Sequence, residues 1–235
     1  MKRLAVIPAR GGSKRILKKN IRDFCGKPII GYILDTAKKS GLFDVIHVST
    51  EDDEIYDIAS KLGFQPHFKR DIDLSDDLTP IIPVIKSVVE NFLTLNKKFS
   101  EVWLLMACAP LLEPTDLKNA AALFSKHDKK HAILAVTDYA VPIEWAYDYI
   151  ETGKLIPKNT GMFAKPSNEL NKTYHDAGAF IAFSADSILS SEGAGSDENY
   201  VGYTLPRSKA IDIDSQEDWE IAEAIYQYRN NSKSS

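Results

Sequence analysis

Short, wholly apolar runs alternate with stretches of helical period from the N-terminus to about residue 137, and no other feature limits the fold so strongly. Residues 4–7, Leu-Ala-Val-Ile, hold no polar position and stop at Pro8. A strand with one solvated face would alternate, so this one is predicted to be buried on both faces, as in a parallel sheet. Further strands are predicted at 45–48, 102–107 and 133–136, with a short one at 64–68. Helices are predicted over 28–39, 52–62, 83–95 and 115–124. Pro28 opens the first and Gly41 stops it, while Thr115 or Asp116 caps the last. Such alternation predicts an α/β fold built on a doubly wound, mostly parallel sheet. Ligands in these sheets bind beyond the carboxyl ends of the strands.

The pattern then breaks. Residues 138–173 contain Pro142, Gly153, Pro157, Gly161 and Pro166 among scattered aromatics, with no clean period. An excursion of hairpins or loops is expected there, serving as a lid or an oligomer contact. Regularity returns with strands at 177–183 and 211–213, and with a final helix at 215–228 that Ser215 and Asp218 start in capping-box fashion. The polar tail 230–235 is expected to be disordered. The chain is thus read as one domain over 1–235, with the extension at about 138–173.

Charge is unevenly distributed. The 29 Lys and Arg against 33 Asp and Glu leave a net charge of −4. Yet eight basic residues (Lys2, Arg3, Arg10, Lys14, Arg15, Lys18, Lys19 and Arg22) precede the first acid, Asp23. A compact cationic segment on an acidic body suits a small anionic ligand and argues against a nucleic-acid partner. Two cysteines, Cys25 and Cys108, make neither a disulfide framework nor a zinc cluster, and are expected to be buried thiols. The run at 4–7 is too short for a signal peptide, and no apolar stretch reaches the ~20 residues of a membrane span. A soluble cytoplasmic protein with no membrane partner is expected.

Ala9-Arg10-Gly11-Gly12-Ser13-Lys14-Arg15 follows the first strand directly. Two glycines let backbone amides approach an anion, and Arg10, Lys14 and Arg15 bring charge to the same place, with Lys19 and Asn20 close behind. The loop suits a triphosphate, but it has neither the GxxxxGK[ST] spacing of ATPases nor GxGxxG. A basic run alone would be read as solvated surface; its position after a buried first strand favours phosphate binding.

Two further groups carry chemistry. Asp212 and Asp214, spaced i, i+2 on a strand-like segment, would put both carboxylates on one face, a pattern suited to magnesium together with substrate phosphates. His175 and Asp176 are adjacent and would diverge on a strand, one toward ligand and one toward a structural partner. Asp76 and Asp77 read as loop or helix-start acids, and Trp103, Trp145 and Trp219 as core or interface.

These residues carry a resemblance. Residues 7–14 (Ile-Pro-Ala-Arg-Gly-Gly-Ser-Lys), then Lys19-Asn20 and Gly26-Lys27-Pro28, resemble the opening of the acylneuraminate cytidylyltransferases, the CMP–nonulosonate synthetases. The likeness continues through 43–50, at Arg70 with Leu74-Ser75-Asp76, and at 211–214, leaving 138–173 weakly matched. Met106-Ala107-Cys108-Ala109-Pro110 and Tyr174-His175-Asp176-Ala177-Gly178 look like the branch of the family that acts on pseudaminic acid rather than on sialic acid. That branch usually has Arg-Ser-Gln-Asp before its Tyr-His-Asp motif; here Pro166-Ser167-Asn168-Glu169 stands instead.

The resemblance implies a nucleotidyltransferase fold with a small dimerisation or lid extension, hence a homodimer. It implies transfer of CMP from CTP to the anomeric hydroxyl of an acidic nine-carbon keto sugar, releasing pyrophosphate, with a divalent ion, usually Mg2+. Pseudaminic acid is the implied sugar. N-acetylneuraminic acid or another acidic keto sugar is one alternative, and a catalytically impaired nucleotide-binding regulator is another. The implied nucleotide contacts are Ala9, Arg10, Gly11, Gly12, Ser13, Lys14, Lys19, Asn20, Arg70 and Ala107. Tyr174, His175, Asp176 and Ala177 are the implied sugar contacts, and Asp212 and Asp214 the implied metal ligands. Arg10, Lys14 and Asp214 are the residues expected to carry catalysis.

Overall fold

A computed structural model describes residues 2–233. Its main sheet has six strands: β1 (Arg3–Pro8), β4 (Val45–Ser49), β5 (Glu101–Leu105), β6 (Ala132–Asp138), β9 (Tyr174–Ser184) and β10 (Tyr200–Thr204). Two short hairpins lie outside it, β2 (Asp23–Phe24) with β3 (Lys27–Pro28), and β7 (Tyr147–Tyr149) with β8 (Leu155–Pro157). The helices are α1 (Ile30–Ser40), α2 (Asp53–Lys61), α3 (Ile81–Thr94), α4 (Pro114–Lys126), α5 (Ala185–Ser190) and α6 (Gln216–Lys233).

The strand order is β10-β6-β9-β5-β1-β4. β1 runs parallel to β4 and β5, and β6 parallel to β10, while β9 lies antiparallel between β5 and β6. The sheet is therefore mostly parallel. β1 is buried on both faces because helices cover both. Ala5 and Ile7 pack with Ile33 and Leu34 of α1 and Phe124 of α4; Leu4 and Val6 pack with Ile85 and Phe92 of α3 and Ile188 of α5. A third cluster centres on Phe24 and Trp219, joining the β2–β3 hairpin to α6.

Local chemistry sets the helix ends. Gly41, at φ 66°, takes the left-handed conformation that closes α1. The Asp52 side chain accepts from the Ile55 N–H at 3.0 Å and caps α2. Ser215 and Asp218 bond reciprocally, as expected, at the start of α6. For α4 the cap is Glu113, one residue before Pro114, and Asp116 returns its carboxylate to the Glu113 N–H at 2.9 Å.

Several expectations are corrected. No strand forms at 64–68: the Phe64 N–H closes the end of α2 on Ala59 O, and the His67 N–H donates to His47 Nδ1, so ladder partners are taken. Residues 211–213 form no strand: the Lys19 ammonium takes the Ile213 carbonyl that a neighbouring strand would use. β10 and α5 have weak sequence patterns and were not expected. α6 continues through 230–233, where a disordered tail was expected; residues 234–235 lie outside the described residues. Cys25 and Cys108 are half-buried rather than buried. Among the described residues no helix is long and apolar enough to cross a membrane.

Candidate nucleotide cleft

The chain leaves β1 toward α1 and β4 on one side, and leaves β5 toward α4 and β6 on the other. That reversal opens a crevice at the carboxyl ends of β1 and β5. A cleft of about 510 Å³ lies there. Pro8, Arg10, Ser13, Lys14, Arg15, Lys19, Asn20 and Arg70 line it, with Asp76, Asp77 and Met106 on its rim.

The loop after β1 is held from outside. Asn20 Nδ2 donates to the Arg10 carbonyl at 2.9 Å, and the Cys108 thiol donates to Asn20 Oδ1 at 3.3 Å. Burial pushes that thiol up to about 12, so it stays a neutral donor. The two glycines differ. The Gly11 N–H donates to Glu51 Oε1 at 2.8 Å, and its Cα faces the Asp52 carboxylate so closely that a Cβ would collide with it. Gly12 has open space around it. Gly11 is thus small for the sake of the acids after β4, and its amide is spent on a carboxylate. Only Gly12 is sterically free beside an anion. Arg70 reaches under the loop, donating from Nε to Ser49 Oγ at 3.0 Å and from Nη2 to Ser49 O at 2.5 Å.

The four basic side chains that the segment after β1 brings to the cleft each meet an acid. Arg10 Nη1 and Lys14 Nζ each lie 2.5 Å from an oxygen of Asp77. Arg15 Nη1 and Lys19 Nζ lie 2.9 and 3.1 Å from the two oxygens of Asp214. The Lys14 ammonium first, and the Arg10 guanidinium second, hold the Asp77 carboxyl below its ordinary range through direct hydrogen bonds.

Asp212 and Asp214 flank the buried Ile213, so the expected alternation holds without a strand. Burial first, and the Asp214 charge second, raise the Asp212 pKa. Asp176 adds to that repulsion from β9 and accepts the Gly178 N–H at 2.9 Å. Gly178 sits at φ 58°, with the Asp212 carboxylate where its Cβ would be. His175 diverges from Asp176 and packs its ring on Tyr139, with centroids 4.7 Å apart.

The expected site residues therefore divide. Arg10, Ser13, Lys14, Lys19, Asn20 and Arg70 meet in the cleft, while Gly11 and Gly12 belong to the same loop but do not line it. The side chains of Ala9 and Ala107 lie in the core, and Met106 occupies the rim instead. Tyr174, His175, Asp176 and Ala177 do not line the cleft. Of these, Asp176 is coupled to the acids beside the cleft by charge alone: it acts on Asp212, as does Asp214, which Lys19 bonds. Glu51 was missed, although its place just after a parallel strand was a signal. Asp77 was read as a loop acid, and nothing local in sequence pairs it with Arg10.

A cation-lined cleft at the switch point of a mostly parallel α/β sheet defines a class of proteins that handle phosphorylated ligands, and the chain belongs to the cytidylyltransferase family, whose model matches residues 4–231. Over 232 residues it is 37% identical to a pseudaminic acid cytidylyltransferase of Campylobacter jejuni, covering 99% of both chains. It is 27% identical over 225 residues to the CMP-N,N'-diacetyllegionaminic acid synthase of Legionella pneumophila, covering 96% of both. Its fold matches that of a CMP:2-keto-3-deoxy-manno-octonic acid synthetase complexed with CTP, with a TM-score of 0.69, 17% identity, and 97% of this chain and 100% of that one covered.

Proposed function

We propose that this cytidylyltransferase activates pseudaminic acid. The anomeric oxygen of the sugar attacks the α-phosphorus of CTP, the bond to pyrophosphate breaks, the hydroxyl proton is lost, and the CMP-sugar forms. One observation carries the reading: Arg10 and Lys14 converge in a cleft at the sheet's switch point, in a chain aligned end to end with a pseudaminic acid cytidylyltransferase. Nucleotidyl transfer is mainly positioning and charge neutralisation. Arg10, Ser13 and Lys14 hold the phosphates and stabilise the leaving pyrophosphate. Asn20 braces the loop, Arg70, anchored on Ser49, is a further phosphate contact, and Tyr174, His175 and Asp176 face the sugar from the start of β9.

Asp212 and Asp214 fit a divalent ion that arrives with the nucleotide. The Asp212 carboxyl, whose pKa is raised by burial and by the Asp214 charge, forms with Asp214 a pair that a cation relieves. Among the described residues no three His, Cys, Asp or Glu side chains gather as a metal cage. Magnesium needs none, since phosphates and waters complete its shell. When bound, the ion would supply further charge neutralisation at the phosphates.

The chain is taken as one catalytic unit over 1–235 that works as a homodimer in the cytoplasm, where CTP is the donor. The 138–173 excursion is the proposed contact between copies. It carries Val141, Tyr149, Leu155 and Phe163 exposed, a density of apolar side chains that suits an interface.

The test is CTP- and Mg2+-dependent pyrophosphate release across a panel of nonulosonic acids. Pseudaminic acid should give the highest kcat/KM; preference for N-acetylneuraminic or diacetyllegionaminic acid would reassign the sugar, and no release with any would defeat the reading. Light scattering should give twice the chain mass, reduced to one by Leu155→Asp with Phe163→Glu.

A further inference from the structure

We infer that Asp77 is a positioning residue that holds the phosphate seat of the cleft and is exchanged for the triphosphate. The inference rests on the reading of the cleft as the CTP site. Its carboxylate spans the two cations that a triphosphate would need, with one oxygen on Arg10 and the other on Lys14, both at 2.5 Å. A two-oxygen anion held between a guanidinium and an ammonium is the geometry in which a phosphoryl group would also sit.

The surrounding turn is built to leave as a unit. Asp76 Oδ1 accepts the Leu78 N–H at 3.0 Å and the Thr79 N–H at 2.6 Å, closing the turn on itself. Among the described residues, the hydrogen bonds and ion pairs that tie 76–79 to the rest of the molecule go to Arg10 and Lys14. The third of these ties runs from Arg10 Nη1 to the Asp76 carbonyl at 2.9 Å. Leu78 is 88% exposed and belongs to none of the three hydrophobic clusters. A triphosphate brings several negative charges to cations that meet one carboxylate here, and takes the contact by charge alone. While Asp77 is seated, Arg10 and Lys14 stay folded over the cleft with their charge compensated. Its release is part of the cost of binding CTP, so the side chain sets affinity with the opposite sign to Lys14.

The test is calorimetric titration of the full chain with CTP and Mg2+, without sugar, at low and high ionic strength. Asp77→Asn keeps the shape and removes the charge. Its Kd for CTP should fall about three- to tenfold below wild type at low salt, the range expected for losing two exposed ion pairs. The gap should narrow at high salt, because exposed pairs are screened. Asp77→Glu should stay near wild type, and Lys14→Ala should bind more weakly than wild type. An Asn variant that binds CTP no more tightly than wild type at low salt would overturn the inference, as would one whose gain is the same at every salt concentration. If wild type itself binds no CTP, the reading of the cleft fails, and that result is distinct from a wild-type complex that Asp77→Asn does not strengthen.

Discussion

The Lys19 ammonium bonds at once to Asp214 Oδ1, at 3.1 Å, and to the Ile213 carbonyl, at 2.7 Å. One side chain thus fastens the loop after β1 to a segment more than 190 residues later in the chain, and carries the cation-lined cleft over to the carboxylate pair.

Asp214→Asn removes half of that pair while keeping its size. The Mg2+ concentration that supports half-maximal pyrophosphate release should rise by about tenfold or more, as expected when one of two carboxylate ligands is lost. An unaltered Mg2+ titration would count against Asp214 as a ligand. Urea denaturation should change little, since the one amide oxygen still serves Lys19 or Arg15 and the single exposed ion pair that is lost contributes little to folding.

Lys14 is the most exposed cation of the cleft loop, so its ion pair contributes little to folding. Lys14→Ala should lower kcat/KM by about a hundredfold or more, in line with removing a charge that acts on a developing anion. The denaturation midpoint should hardly move. A comparable loss of stability and turnover would mean that Lys14 is structural.

The glycines separate two roles that the sequence presents as one. Gly11→Ala drives a methyl group into the Asp52 carboxylate, which also caps α2. Overpacking of this kind costs about 1–3 kcal/mol, so both stability and activity should fall. Gly12→Ala meets open space and should fold normally, with its effect confined to the KM for CTP. Equal stability of the two variants, read by denaturation, would contradict the packing.

That split shows where sequence reasoning stops. A buried first strand followed by a basic glycine loop was readable from residues 4–15, since burial on both faces erases alternation and a turn after such a strand faces ligand. Pairings between distant loops were not. Nothing near Asp77 names Arg10 as its partner, and nothing near Gly11 names Glu51. The strand expected at 211–213 failed for a related reason: period two reports which side chains face outward, but not whether a neighbouring backbone is there to pair. β10 was missed because Gly202 and Thr204 dilute its pattern and one face is half-exposed.

Acid should weaken the fold through His47. This side chain is fully buried in β4 against Phe68 and Phe92, and burial, with His67 and Arg70 nearby, lowers its pKa from 6.5 to about 3. The folded state then binds fewer protons than the unfolded one between those values. The contribution of neutral His47 is complete above pH 6.5 and is lost as pH falls toward 3, at up to about 1.4 kcal/mol per pH unit. His67, also lowered by burial, acts in the same direction. Denaturation midpoints should fall from pH 7 to pH 5 in wild type and fall less in His47→Leu; parallel profiles would contradict the assignment.

The antiparallel placement of β9 has a consequence beyond the shape of the sheet. Because β6 and β9 run in opposite directions, Asp138 and Tyr174 face each other as register partners, and the whole 138–173 excursion begins and ends on that one rung. An insertion whose two ends are already joined can lengthen, shorten or change its contacts with only a slow rise in closure entropy. The ladder beneath it need not shift. The same rung carries Tyr174 into the start of the Tyr-His-Asp stretch, so the most replaceable part of the chain is hinged beside the residues assigned to read the sugar. Exchanging this excursion between relatives should therefore alter acceptor choice and leave the proposed phosphate loop after β1 untouched.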